Sequence, residues 1–246
     1  MKAEQLQLAL RPRPIYEAVD LGVRMTQRNA RSLGRAYVPL ALLLVVACGS
    51  TVELAPWLPS LLLWWLKPWL DRTLLHIYAR QAFGDATPFS EAWEARRQAP
   101  WGPLLRLLTL GRLSFWRSYS MPVAQLEGQS GAARRQRLKA ILRTHRGAAT
   151  MMQAAFGWCE IIVMVGLMAL IPWMTPGLRT LDGLSLLTDG TLAGVALGFA
   201  AQALAVMFVE PFYVAAGFAM YLNRRVELEA WDVEQDLRQA FAEAPT

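Results

Sequence analysis

Five charged residues lie inside apolar stretches of this 246-residue chain, and they are the side chains whose types and positions could do chemistry. A charge in the middle of a membrane helix costs about 2.5–3.5 kcal/mol on insertion scales, so it must find a partner, reach the interface or face a polar interior. The sequence therefore predicts a cluster of charges near the mid-depth of a membrane, formed by Lys67, Asp71, Arg72, Glu160 and Glu210.

Lys67 and Glu210 have opposite charges, and each stands directly before a proline. If their helices are neighbours, the two side chains would form a buried ion pair, joined by Asp71, Arg72 or Glu160. We favour a structural clasp that pins the helices together. The alternative is a proton or ion relay, or a polar cavity for a substrate.

Signatures of catalysis are missing from the sequence. His76 and His145 are the only histidines, and neither has metal-ligand spacing around it. A zinc motif, a phosphate-binding loop and a nucleophile elbow are all lacking. We therefore predict no catalytic residue, no cofactor and no metal, and a protein that is not an enzyme. A membrane enzyme assembled from scattered residues stays open.

The surroundings of the two prolines repeat. Lys67-Pro68-Trp69 is followed by Tyr78, and Glu210-Pro211-Phe212 is followed at the same spacing by Tyr221. Glu-Ala-Trp occurs downstream of each, at 91–93 and at 229–231. The pattern favours two corresponding units with helix breaks at Pro68 and Pro211, as in transporters with internal repeats. Chance and shared membrane-helix composition are the alternative explanation.

Composition places the chain among integral membrane proteins. Hydrophobic residues make up 54% of it, mean hydropathy is +0.25, and ten tryptophans suit helix ends at the membrane interface. The net charge of +6 comes from arginines beside apolar stretches. This placement favours binding to anionic lipid headgroups and predicts no nucleic-acid partner. We predict an all-α, polytopic transmembrane bundle of four to six membrane helices, some broken or re-entrant, with interfacial amphipathic helices.

The predicted organisation is a single integral membrane domain, 1–246. It comprises an interfacial N-terminal amphipathic helix (1–36), a membrane bundle (37–222) and a cytoplasmic tail helix (223–246). Apolar periodicity and length predict membrane spans at 37–50, 57–79, 149–174 and 191–222, and a basic helix at 127–147. Residues 101–126 are ambiguous between two short helices, one tilted span and a hairpin at the bilayer, which we favour.

Basic residues also predict the topology. They crowd before residue 36, at 80–97, at 134–146 and at 224–225, whereas the loops 51–56 and 175–190 are nearly free of them. Positively charged loops stay on the cytoplasmic side. Both termini are therefore expected in the cytoplasm of a bacterium, with the bundle in its inner membrane.

Two further features concern packing. Gly190, Gly194 and Gly198 recur at every fourth position, which favours close helix packing, within the monomer rather than across a dimer. The acidic tail (Glu227, Glu229, Asp232, Glu234 and Asp236) could dock on the basic segment 134–146 or be solvated.

Three motifs are typical of a known kind of membrane domain: Leu10-Arg11-Pro12-Arg13-Pro14, Glu17-Ala18, and Gly84 followed by Glu91-Ala92-Trp93. In these motifs the chain resembles bacterial six-helix membrane domains, including the domain fused to some glycerophosphodiester phosphodiesterases. The motifs 210–213 and 221–225 are similar to those of a narrower, uncharacterised proteobacterial group encoded beside an ATPase and a transglutaminase-like membrane protein. Because only the membrane domain is matched, the resemblance does not imply phosphodiesterase activity.

These observations predict a non-enzymatic membrane subunit or scaffold of an envelope-associated complex. Its partners would be the lipid bilayer, anionic lipid headgroups and other membrane or envelope proteins. The alternative is a small transporter or lipid-handling protein that uses Lys67, Glu160 and Glu210. A water-filled cavity that reaches these residues would favour transport, and a dry, fully paired cluster would favour the scaffold.

Overall fold

The computed structural model of the protein describes residues 13–82, 84–85, 88–98, 114–174 and 190–229. This part is 87% helical and has no strands. Its seven helices are α1 (Ile15–Arg28), α2 (Ala30–Gly49), α3 (Leu58–Ala82), α4 (Phe89–Gln98), α5 (Arg117–Gln125), α6 (Gly131–Met174) and α7 (Leu192–Glu229). The all-helical class predicted from the sequence is confirmed.

Three of these helices are long and apolar enough to cross a membrane: α2, the Gly131–Leu170 part of α6, and α7. α3 has 25 residues but is interrupted by Lys67, Asp71 and Arg72, and it is not among the three. A bundle of four to six membrane helices thus stays a prediction. In the ambiguous segment 101–126, residues 101–113 lie outside the described part, and the rest contains the short helix α5, which is buried along most of its length.

The first two helices divide at a different place than the sequence predicts. The expected amphipathic helix ends at Arg28, because Asn29 leaves the helical conformation with φ −102° and ψ 13°. α2 then begins at Ala30 rather than at residue 37. Those additional residues give α2 its 20-residue length, which the predicted span 37–50 lacked.

The apolar face of α1 packs against α7. Ala18, Gly22 and Thr26 are buried, and a Cβ atom added at Gly22 would lie 2.5 Å from the carbonyl oxygen of Ala215. The two backbones can approach this closely because glycine has no side chain. The face of α1 that was expected to enter the membrane interface is therefore covered by protein at Ala18, Gly22 and Thr26.

We expect Gly22→Ala to destabilise the fold by about 1–3 kcal/mol, because the methyl group forces α1 away from α7. The matched control is Gly34→Ala in α2, where an added Cβ would meet nothing within 4 Å. That control should gain about 0.5–1 kcal/mol from helix propensity. Unfolding by denaturant in detergent micelles measures both, and equal changes in the two variants would contradict the close approach.

α3 and α7 are neighbours that run in the same direction. Three contacts follow the same order along both helices: the Gln202 side-chain amide donates to the Ser60 carbonyl (3.3 Å), Lys67 pairs with Glu210, and the Tyr78 hydroxyl donates to the Pro211 carbonyl (3.1 Å). The two proline-containing segments therefore lie side by side, which is the condition under which the sequence predicts the ion pair between Lys67 and Glu210. The internal repeat itself stays a prediction.

The predicted helix breaks at Pro68 and Pro211 are not found. Both prolines lie inside continuous helices, α3 and α7. Proline removes one backbone donor, but neighbouring helices can compensate for that loss in an apolar bundle. A kink does occur at His145 of α6, where φ −113° and ψ 16° leave the helical conformation.

One end of the bundle holds both ends of the described chain. The Asn223 side chain accepts a hydrogen bond from the Arg13 backbone N–H and donates one to the Arg13 carbonyl, each at 2.9 Å. Nearby, Tyr119 donates its hydroxyl proton to the Ile141 carbonyl at 3.1 Å, and burial raises the pKa of this hydroxyl. Arg13 and the end of α7 are therefore on the same side of the bundle.

The first part of the acidic tail docks on the basic segment of α6. Glu229 pairs with Arg137, and Glu227 lies 3.4 Å from the His145 ring nitrogen. Arg224 adds hydrogen bonds from α7 to α6, including one to Thr144 at 3.3 Å. The more distal acidic residues Asp232, Glu234 and Asp236 lie outside the described part.

The three spaced glycines have different roles. Gly190 has φ +64° and would meet nothing within 4 Å, so it serves the turn before α7 and does not pack against another helix. Gly194 is buried, and its backbone N–H donates to the Thr191 hydroxyl at 3.1 Å, which caps α7. At Gly198 an added Cβ would lie 3.7 Å from the Met168 side chain of α6. The prediction that these glycines pack against another helix is thus wrong for Gly190, and the positions of Gly194 and Gly198 are consistent with it.

Candidate functional site

Charged side chains from four helices meet in the interior of the bundle. Lys67 and Asp71 are four residues apart on α3, so both point from one face of the helix. α5 contributes Arg117, α6 contributes Glu160, and α7 contributes Glu210. We call these five residues the central charge cluster.

The members of the central charge cluster form a chain of alternating sign. Glu160 pairs with Lys67, whose Nζ atom also lies 2.6 Å from Glu210 Oε2. Glu210 Oε1 lies 3.4 Å from an Nη atom of Arg117, and Arg117 Nε lies 2.9 Å from Asp71 Oδ2. The ion pair predicted between Lys67 and Glu210 is present, and both Asp71 and Glu160 belong to the same network.

Burial within the cluster is uneven. The side chains of Asp71 and Glu210 are 1% exposed, whereas Glu160 is 21% exposed. Buried ion pairs lose hydration, and removal of one partner leaves an uncompensated charge. The cluster therefore has a closed end at Asp71 and a more accessible end at Glu160.

Arg117 belongs to the central charge cluster although the sequence did not predict it there, whereas Arg72 was predicted as a member. Arg72 is half-buried on α3, and its carbonyl accepts a hydrogen bond from Gln125 at 2.7 Å. The guanidinium between the two buried carboxylates belongs to Arg117. The ambiguous segment 101–126 also contains Arg106 and Arg112, so sequence spacing offered no means of choosing among its arginines.

Tyr213 fixes the position of Arg117. The guanidinium carbon of Arg117 lies 5.6 Å from the centre of the Tyr213 ring, within the range of a cation–π interaction. The Tyr213 hydroxyl accepts a hydrogen bond from the Ser118 backbone N–H at 3.1 Å and donates one to Gln153. An added Cβ at Gly217, one turn further along α7, would overlap Ser118. α5 is thereby held tightly against α7.

A cavity of about 770 Å³ opens onto the central charge cluster. Four cluster members line it: Lys67, Arg117, Glu160 and Glu210. The other walls combine polar and apolar side chains from α3, α6, α7 and the residues just before α5. These include Ser114, Thr150, Gln153, Trp64, Phe115, Phe156, Ile161 and Val209.

The cavity lies between α3 and α6. Trp64 and Lys67 line its α3 side, and Phe156, Gly157 and Glu160 line its α6 side. The Lys67–Glu160 ion pair joins the two helices at this level. A molecule in the cavity would therefore meet the accessible end of the cluster first.

The arrangement suits binding and charge exchange more than covalent chemistry. In the described ranges no group of three His, Cys, Asp or Glu side chains is placed to hold a metal ion. His145 lies beside Glu227 at one end of the bundle, and His76 lies on α3 outside the cavity lining. The residues that line the cavity offer paired charges, amide and hydroxyl groups, and aromatic faces.

No protein-family model, curated protein or solved structure matches this chain. The resemblance to the membrane domain associated with glycerophosphodiester phosphodiesterases therefore stays a prediction.

Proposed function

We propose that this chain is an integral protein of the bacterial inner membrane that binds a small amphiphilic molecule and acts in its transport or handling. Its termini lie in the cytoplasm. The observation that carries the proposal is the cavity of about 770 Å³ that ends on Lys67, Arg117, Glu160 and Glu210. Sites for small molecules are typically concave, of about 300–1,000 Å³, and lined by apolar walls with a few placed polar groups.

The position of the cavity supports this proposal. Lys67, Glu160 and Glu210 lie well inside α3, α6 and α7, remote from the described ends of these helices. Ionisable residues at such positions cost free energy and commonly mark pathways for substrates or ions. A clasp that only held the helices together would need the ion pairs but not the adjoining space.

A scaffold subunit is the second candidate, and a different observation favours it. Each member of the central charge cluster has an oppositely charged partner. At the end of the bundle where Arg13 meets Asn223, Glu127, Arg137, Arg225 and Glu229 form a second network of ion pairs. Full pairing is what a rigid framework for a partner protein would require.

Filling the cavity distinguishes these functions. Gly157 lines the cavity and an added Cβ there would meet nothing within 4 Å, so Gly157→Leu should occupy part of the space without disturbing the fold. Gly166→Leu is the matched control, because it lies on the same helix, is equally open and does not line the cavity.

The measurement is native mass spectrometry of protein purified in mild detergent, with small molecules and lipids identified after release. We expect a bound amphiphile on the wild type and on Gly166→Leu, reduced about tenfold or more on Gly157→Leu. If no small molecule is retained and a protein partner co-purifies in stoichiometric amount, the scaffold is the correct function.

A further inference from the structure

The central charge cluster has an excess of carboxylates. Asp71, Glu160 and Glu210 face two cations, Lys67 and Arg117, so the fully ionised cluster would carry one net negative charge. An uncompensated charge is costly in a buried site within an apolar bundle. The cluster is therefore neutral only when it holds one further positive charge.

The closed end of the cluster offers a place for a proton. Asp71 Oδ2 lies 2.9 Å from Arg117 Nε, and Glu210 Oε1 lies 3.4 Å from an Nη atom of Arg117, so the two carboxyl groups face the same guanidinium. Two carboxyl groups can share a hydrogen bond only if one of them is protonated. Neither oxygen of Asp71 receives a hydrogen bond from a donor of suitable geometry among the described residues. A proton shared with Glu210 would supply one.

A further polar group, the Tyr37 hydroxyl, lies at the closed end of the cluster. Its side chain on α2 is fully buried near Asp71 and Glu210, and the hydroxyl has no hydrogen-bond partner in the described part of the chain. Buried polar groups are normally hydrogen-bonded. The hydroxyl is thus available to a carboxyl group whose protonation changes.

The accessible end of the cluster offers a place for a larger cation. Glu160 is the most exposed carboxylate of the cluster, and it lines the cavity together with the aromatic residues Trp64, Phe115 and Phe156. A carboxylate surrounded by aromatic faces favours an organic cation, through charge pairing and cation–π contact. An anion would instead meet Lys67 and Arg117, which are already engaged by carboxylates.

We propose that the cavity binds a hydrophobic organic monocation, of the quaternary ammonium or phosphonium class, in exchange for the proton shared by Asp71 and Glu210. This inference rests on the proposed function. The cation pairs with Glu160, Lys67 shifts fully to Glu210, and the proton leaves to the solvent. Charge balances in both states, because three carboxylates face either two cations and a proton or three cations.

Within the described residues, six ionisable side chains on five helices lie around the carboxyl groups of Asp71 and Glu210. α2 contributes Tyr37, α3 contributes Lys67 and Tyr78, α5 contributes Arg117, α6 contributes Glu160, and α7 contributes Tyr213. Lysine, arginine and tyrosine keep their ordinary ionisation near neutral pH, so the carboxyl groups are the ones that can release a proton there.

Binding of tetraphenylphosphonium to the full-length protein in an uncharged detergent tests the exchange. Equilibrium dialysis measures affinity, and an indicator dye in weakly buffered solution measures released protons. We expect one proton per bound cation, and an affinity that rises about tenfold per pH unit while the shared proton is present. Binding without proton release would overturn the exchange.

Two matched pairs of variants locate the site. Trp64→Ala, in the cavity wall, should weaken phosphonium binding at least tenfold, whereas Trp57→Ala, exposed and outside the cavity, should not. Glu160→Gln should have a comparable effect, whereas Glu94→Gln at an exposed site on α4 should not. Equal losses within either pair would contradict the location.

Comparison with other probes separates this inference from the function on which it rests. Dodecyl phosphate or decanol could bind the wild type and bind Gly157→Leu more weakly, while tetraphenylphosphonium does not bind at all. In that case the monocation class is wrong and the proposed function stands. If none of the three probes binds, both are wrong.

Discussion

Arg117→Met is expected to destabilise the protein by about 3–5 kcal/mol, because it leaves Asp71 and Glu210 buried beside each other without their shared cation. Methionine preserves much of the side-chain volume, so the loss reflects charge more than a cavity. Denaturant unfolding in detergent micelles measures the effect. Arg135→Met is the control, because Arg135 is exposed on α6, and it should change stability by less than about 0.5 kcal/mol.

A second substitution shows whether the cost arises from the unpaired carboxyl groups. Asp71→Asn removes one of the two, so the double variant Arg117→Met/Asp71→Asn should lose clearly less than the sum of the single losses. Strict additivity would mean that the guanidinium stabilises the fold by some other contact. The interaction with Tyr213 is the first to examine in that case, because Arg117 lies over its ring.

Lys67→Met is expected to have a loss of similar size, about 3–5 kcal/mol, because Lys67 is the partner of both Glu160 and Glu210. The simplest rescue would exchange the two charges, as Lys67→Glu/Glu210→Lys. The structure predicts that this exchange fails. It would place a carboxylate at position 67 against Glu160 and a lysine at position 210 against Arg117.

Partial rescue should come instead from Lys67→Met/Glu160→Gln, since the exposed end of the cluster then loses a charge of each sign. The same denaturant titration in detergent measures the single, exchanged and double variants. Recovery in the exchanged variant but not in the Met/Gln variant would show that Lys67 and Glu210 act as an isolated pair. The charge count that supports proton exchange would then lose its basis.

The central charge cluster combines two features: its charged side chains are paired, and a cavity lies beside them. Each feature supports a different one of the two candidate functions. The ion pairs alone explain a rigid framework. The cavity beside them is unexplained by rigidity, and a ligand that replaces one ion pair by another could use it without leaving an unpaired charge in the interior. Transport or handling of a small molecule accounts for both features.

The helical class and most of the cluster were predictable from the sequence. Long apolar stretches predict helices, and charges inside them must find partners, which pointed to Lys67, Asp71, Glu160 and Glu210. The opposite charges of Lys67 and Glu210 also predicted an ion pair, on the condition that α3 and α7 are neighbours. Each of these inferences uses a property local to the chain: residue type, spacing, or the cost of burying a charge.

The tertiary structure decided which partners meet. It placed Arg117 beside Asp71, and it placed the cavity between α3 and α6. It also packed α1 against α7 through Gly22 and kept the helices continuous at Pro68 and Pro211. The cost of an unpaired charge follows from the residue and its apolar surroundings, so it can be read along the chain. The identity of the group that compensates it depends on which helix faces meet, and that depends on the packing of the whole bundle.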